Sequence, residues 1–150
     1  MKISEIIFES DEEHSAALQD TGFWGKQGAG CVFKAKDTGR FLIAHRSRWV
    51  QEPNTWGTWG GAIDANENPK DAMLREIKEE TGYSGEIQLQ HLWTFEHESG
   101  FRYYNFLAIV PTEFEPILDW ENQGFAWVEK GQWPTPLHPG FEALLAHTNL

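Results

Sequence analysis

Cysteine is almost missing from this chain. A single one, Cys31, stands among 150 residues. An internal disulfide is therefore excluded, and a reducing, cytoplasmic setting is the expected one. Cys31 lies in the apolar run Gly30-Cys31-Val32-Phe33, where a small buried hydrophobe is a more natural role than a nucleophile. Long apolar runs are missing too. No stretch approaches the roughly 20 residues of a membrane-spanning helix. The opening Met1–Glu9 is too short and too charged for the apolar region of a secretion signal, so no membrane partner is expected. Positive charge is scarce as well: 12 Lys and Arg face 23 Asp and Glu, for a formal net charge of −11. Such a surface repels polymeric nucleic acid at long range. A small nucleotide arriving with a metal ion is not excluded in this way, because the metal offsets phosphate charge.

What is present argues for one packed domain over residues 1–150. Forty per cent of residues are apolar and eight are Trp, enough to build a core without disulfides. A short strand is expected at residues 3–8, and a capping box at Ser10-Asp-Glu-Glu13 predicts a brief helix from Asp11 to Leu18. Strands Ala29–Ala35 and Arg40–Ala44 flank the turn Lys36-Asp-Thr-Gly39, a hairpin pattern. A polar and aromatic loop occupies 45–58. Strands follow at 86–91, 92–96, 101–110 and 125–128, and a C-terminal helix starts near Pro139. Helices before, among and after strands imply a sheet covered on both faces.

The segment Gly61 to Tyr83 carries the chemistry. Asn68 suits an N-cap and Pro69 the first helical position. Gly82 suits the left-handed residue that ends a helix, so a helix is predicted over 69–81. On it Glu76, Glu79 and Glu80 are spaced by three and four residues and share a side. Like charges so spaced repel unless a cation neutralises them, and hard carboxylate oxygens suit Mg²⁺, Mn²⁺ or Ca²⁺. A solvated acidic helix face, with Arg75 making an ordinary surface pair, is the plain alternative.

Gly61, Glu67, Arg75, Glu76, Ile77, Glu79, Glu80 and Gly82 fall into the pattern Gly-x5-Glu-x7-Arg-Glu-U-x-Glu-Glu-x-Gly-U, U being a bulky apolar residue. The segment resembles the Nudix box, and the chain resembles a Nudix hydrolase of the MutT-like kind. The resemblance implies an α/β/α sandwich with a mixed β-sheet. It also implies Mg²⁺ or Mn²⁺ held by Glu76, Glu79 and Glu80 with the Gly60 carbonyl, Glu76 being either a further ligand or the base. Arg75 would brace the glutamates, and Glu67 would pair with it. Glu121, six residues before Trp127-Val128, matches the place of a further acidic ligand, with Asp119 its neighbour. Glu96 and Glu98 are rival sources, and His97 between them a rival base. Arg46, with Arg48 as a second choice, stands where family members contact substrate phosphate. The chain departs from the pattern at Trp59, where Trp-x-x-Pro-Gly-Gly has proline, at Asp64-Ala-Asn-Glu67, and at Tyr83.

Trp49, Trp56, Trp59, Phe101, Tyr103 and Tyr104 are candidate platforms for stacking a base, Trp59 and Tyr103 foremost. The implied reaction is hydrolysis of a nucleotide-type diphosphate linkage. A nucleoside triphosphate, or an oxidised form of one, would go to monophosphate and pyrophosphate. ADP-ribose, another nucleoside diphosphate derivative or a dinucleoside polyphosphate is the alternative, and a non-catalytic nucleotide-binding module the alternative of another class. A prenyl-diphosphate isomerase shares the fold but wants a pocket cysteine, and Cys31 is expected far from the box. Either a monomer or a homodimer is compatible.

Overall fold

The computed structural model describes residues 26–150. The expected strand at 3–8 and helix at 11–18 lie outside the described residues. Among those described, seven strands form one mixed sheet: β1 Gln27–Ala35, β2 Phe41–Arg46, β3 Trp56–Gly57, β4 Trp59–Ala62, β5 Gln88–Glu96, β6 Arg102–Val110 and β7 Asn122–Val128. Two helices accompany them, α1 Pro69–Thr81 and α2 Pro139–His147.

The sheet is organised around β1. On one side β1 runs parallel to β6 along its full length, from Gln27 opposite Arg102 to Ala35 opposite Val110. On the other side it has two partners. Phe33 and Lys34 pair with Leu42 and Phe41 of β2, and Gly28 to Cys31 pair with Ala62 to Trp59 of β4. The β1–β2 hairpin therefore diverges soon after its turn, and residues 56–62 fill the gap. β3 pairs with β2 through Gly57 and Trp56 while β4 pairs with β1. The turn is as expected, with Gly39 at φ 74 and its N–H bonded to the Ala35 carbonyl at 2.8 Å.

Side-chain alternation along β1 divides the core into two layers. Cys31, Phe33 and Ala35 join Ala72, Met73 and Ile77 of α1, while Val32 joins Phe141 and Leu144 of α2. The sheet is thus covered on both faces, the α/β/α sandwich that was expected. The two strands expected at 86–91 and 92–96 are one strand, β5, with an irregularity between His91 and Trp93. The loop expected over 45–58 is interrupted by β3 at Trp56–Gly57, and the glycine-rich run 59–62 that follows is a strand as well. Its partner strand supplies the order that three low-propensity residues, Gly60, Gly61 and Ala62, do not supply themselves.

Candidate active site

Helix α1 begins and ends as its sequence dictates. The Asn68 side chain accepts from the Asp71 N–H at 2.9 Å. Gly82 takes φ 71 and donates to the Lys78 carbonyl. These stops fix the register in which Arg75, Glu76, Glu79 and Glu80 leave the helix.

Arg75 gathers acids around itself. Its Nε and Nη2 donate to the two Glu67 oxygens at 2.8 and 2.9 Å, and Nη2 also reaches the Ala62 carbonyl at 3.0 Å. Its Nη1 donates to Glu76 Oε1 at 2.9 Å and Glu79 Oε2 at 3.3 Å. Glu67 Oε1 accepts from the Asp64 N–H as well. The loop before α1 is therefore tied to the helix through one fork-shaped cation. The Arg75 bond holds the Glu67 carboxyl below its ordinary range. The bracing role expected of Arg75 and Glu67 has this geometry behind it.

The three box glutamates share a side of α1 but not an environment. Glu79 is exposed at the rim. Glu76 is buried against β4, so close that a Cβ on Gly61 would meet its Oε1 at 2.8 Å. Glu80 is 3% exposed. Its Oε1 accepts from Asn122 Nδ2 at 3.0 Å, whereas its Oε2 is buried with no hydrogen-bond partner. Burial pushes the Glu80 carboxyl well above its usual range, and the negative charges of Glu121, Glu76 and Asp119 push it further.

Among the described residues no three His, Cys, Asp or Glu side chains form a closed metal cage as they stand. Arg75 turns Glu76 and Glu79 toward itself, so a tight cluster of all three glutamates, as helical spacing predicts, is not what the structure shows. The donor set nevertheless fits a hard divalent cation. An orphaned buried carboxylate oxygen faces a ring of like charge, and a cation would remove both penalties. Glu80, Glu76 and Glu79, with Glu121 beside them, are the residues that would hold it.

Gly60 sits beside this cluster, paired with Gly30. Its φ is 155, and a Cβ there would fall 2.0 Å from the Ala29 carbonyl oxygen. No other residue fits. Arg46 ends β2, with its guanidinium donating to the Gln51 carbonyl at 2.9 and 2.6 Å. It pairs in register with Asn122, the residue that bonds Glu80. Tyr103 lies flat over Gly28 and Gly30, whose missing side chains make room for its ring. It shares a hydrogen bond with Thr58, and burial raises its phenol to about 12.

Two expectations are overturned. Trp59 is no stacking platform: it is wholly buried, packs edge-on to Phe33 at 6.4 Å and donates its indole N–H to the Leu42 carbonyl at 3.2 Å. It bridges the diverging β1 and β2 from between them. Cys31, expected far from the box, is paired with Trp59 and lies within electrostatic reach of Glu80. Burial raises its thiol well above the ordinary value, with Glu80 adding to the effect. It is inert as a nucleophile all the same.

The rival residues are engaged elsewhere. Glu96 is exposed and pairs with Arg102 at 3.2 Å. His97 shares a bond with Ser99 Oγ at 2.9 Å in the β5–β6 turn, and Glu98 is exposed beside it. Of the aromatics, Trp56 stacks on His45 at 4.2 Å. Phe101 is buried, and Tyr104 packs against the α1-side core.

Next to Glu80 and Asn122 opens a cleft of about 430 Å³, lined by Ser47, Arg48, Trp49, Asp119, Trp120, Asn122 and Gln123. Trp120 was not among the aromatics that sequence singles out. Its position between Asp119 and Glu121, both candidate acids, was the available signal.

Residues 25–147 match the NUDIX domain family. The chain is 30% identical over 139 residues to a Mycobacterium tuberculosis protein provisionally named 8-oxo-dGTP diphosphatase 3, a match that covers 84% of this chain and 64% of that protein. The chain thus spans less than two thirds of that relative's length. It is 29% identical over 98 residues to mouse diphosphoinositol polyphosphate phosphohydrolase 3-alpha, covering 65% and 57% respectively. Among solved structures, the Nudix hydrolase RenU from M. Smegmatis superposes with a TM-score of 0.69 at 26% identity, covering 81% of this chain and 82% of that one.

Proposed function

Because this chain belongs to the Nudix hydrolase family, we propose that it is a pyrophosphohydrolase dependent on Mg²⁺ or Mn²⁺. Its substrate would be a nucleoside triphosphate, in normal or oxidised form, cleaved to monophosphate and pyrophosphate. One observation carries this reading: the unpaired Glu80 oxygen buried among Glu76, Glu121 and Asp119, beside an arginine that fixes the remaining carboxylates. A fold gains nothing from such a cluster, whereas a metal–phosphate complex needs one. The name of the mycobacterial relative favours an 8-oxo-purine triphosphate as the first substrate to try.

A bound divalent cation supplies neutralisation of phosphate oxygens and activation of a water. The chain's own residues do the rest. Glu79, Glu80 and Glu121 would supply the ligand oxygens, the Gly60 carbonyl would add a neutral one, and Glu76 would be either a further ligand or the base. Arg75 and Glu67 keep the glutamates in place while charge moves at the reacting phosphorus. Arg46, at the end of β2, would reach the substrate's phosphates by releasing the Gln51 carbonyl that its Nε and Nη2 hold. Where Glu76 is not occupied as a ligand, its carboxylate would take the proton of the attacking water.

The testing experiment measures phosphate and pyrophosphate release in Mg²⁺ and in EDTA. The panel comprises nucleoside triphosphates, 8-oxo-dGTP, ADP-ribose, sugar nucleotides and dinucleoside polyphosphates. Metal-dependent release of pyrophosphate from a triphosphate supports the reading. Turnover confined to ADP-ribose or a dinucleoside polyphosphate replaces the substrate and keeps the chemistry. No turnover, with the same compounds raising the melting temperature, makes the chain a binding module.

A further inference from the structure

We infer that the cleft between residues 47–49 and 119–123 seats the base of the nucleotide, with Trp120 as the residue that reads it. This rests on the nucleotide reading above and deepens it.

Three observations converge on the cleft. First, the indole Nε1 of Trp120 is buried and has no hydrogen-bond partner, although Trp120 lines an open cleft. A buried N–H without an acceptor is unfavourable, so a small turn of the indole toward the cleft is favoured once a seated ring offers it an acceptor. Trp59 and Trp127 show the ordinary case in this same chain: their indole N–H groups donate to the Leu42 and Phe114 carbonyls at 3.2 and 2.9 Å. Second, Trp49 is 59% exposed at the cleft wall, with the Arg48 guanidinium 4.5 Å above its ring. An exposed indole backed by a cation is a ready surface for a flat electron-rich ring. Third, the cleft shares Asn122 with the acid cluster, since Asn122 lines it and also donates to Glu80. A ring seated there has its phosphates directed toward the glutamates.

The ligand chemistry follows from the lining. Asp119 beside the acid cluster disfavours a phosphate in the cleft without metal. A neutral heteroaromatic ring with an acceptor on its edge satisfies the Trp120 donor and covers apolar ring surface. Purines and pyrimidines both meet that description, and the larger purine covers more of Trp49.

Indole N–H resonances test the inference directly. The full chain with Mg²⁺ is titrated with the four common nucleoside monophosphates, which carry no diphosphate linkage to cleave, with 8-oxo-GMP and with ribose 5-phosphate. Trp120→Phe and Trp49→Phe assign the two signals. The expected result is a shift of the Trp120 N–H with at least one base-bearing ligand and none with ribose 5-phosphate. With the chain's best substrate and Mg²⁺, Trp120→Phe should raise KM about 10-fold with little change in kcat, the size of one lost hydrogen bond. A Trp120 shift caused equally by ribose 5-phosphate overturns the inference and makes the cleft a phosphate channel. No Trp120 shift from any nucleotide, in protein that hydrolyses nucleotides with Mg²⁺, overturns it while the hydrolase reading stands. A base-dependent shift in protein with no hydrolytic activity upholds the base seat and removes the hydrolase reading.

Discussion

Asn122 Nδ2 donates to Glu80 Oε1 across 3.0 Å, joining the start of β7 to the helix that carries the acids. It satisfies one oxygen of a carboxyl whose other oxygen has no partner. Asn122→Ala removes that donor and leaves both oxygens without one. In EDTA the variant should lose about 1–3 kcal/mol, read as a lower midpoint in urea unfolding. An unchanged midpoint means water already serves Glu80.

Glu80→Gln should separate stability from activity. The neutral amide ends the repulsion from Glu121, Glu76 and Asp119, so the melting temperature in EDTA should rise by about 2–6 °C. Turnover should fall by orders of magnitude because a metal ligand is lost, and Mg²⁺ should stabilise the variant less than the parent. A destabilised variant with near-parental turnover contradicts the assignment.

Arg75→Lys keeps the charge and loses the fork. A single ammonium cannot hold both Glu67 oxygens, Glu76 and Glu79 together, as Arg75 does. Turnover should drop about 10-fold or more with the fold kept, and apparent Mg²⁺ affinity should weaken with it. A titration of activity against Mg²⁺ checks both.

Gly60→Ala forces a Cβ to within 2.0 Å of the Ala29 carbonyl at a backbone conformation closed to side chains. The expected outcome is loss of about 3 kcal/mol or more, or insoluble protein. Gly131→Ala, at φ 83 with open space around it, serves as the control and should cost about 1 kcal/mol.

His138 predicts a pH dependence. It caps α2 by accepting from the Gly140 N–H at 2.8 Å. Burial, with the Arg46 charge adding to it, lowers its imidazole from 6.5 to about 4. The unfolded chain then binds a proton that the folded chain refuses between those values. The stability is fully present above about pH 6.5 and is lost as pH falls toward 4. His138→Asn keeps a good cap and should flatten that part of the stability–pH profile, as urea midpoints between pH 4 and 7 will show.

Local rules made α1 and its acids legible before any coordinates. Asn68, Pro69 and Gly82 act within a turn of themselves, and helical spacing sets which side chains neighbour. The Arg75–Glu67 pair was available only from resemblance, because the Asp64–Glu67 loop has no regular period to read. The β3–β4 segment was illegible for a different reason. Its strand character is imposed by the diverging β1 and β2, and that gap is a tertiary fact. Trp59 misled for the same cause: a tryptophan among glycines reads as exposed, and only the gap shows that it is a plug. Trp120 escaped notice because its cleft is assembled from two loops far apart in the chain. Arg75 competing for Glu76 and Glu79 was beyond helical spacing too, which gives direction but not partners.

The loop following β2 is closed by its own base, through the Arg46 N–H to the Thr55 carbonyl and the Asn54 N–H to the Arg46 carbonyl at 2.8 and 3.1 Å. Its tip is therefore an interchangeable part. Insertions or grafts between Arg48 and Pro53 should be absorbed at a cost that grows only slowly with length, with the glutamates of α1 undisturbed. Evolution, or an engineer, can retune what this protein accepts at that one wall without rebuilding the machinery beneath it.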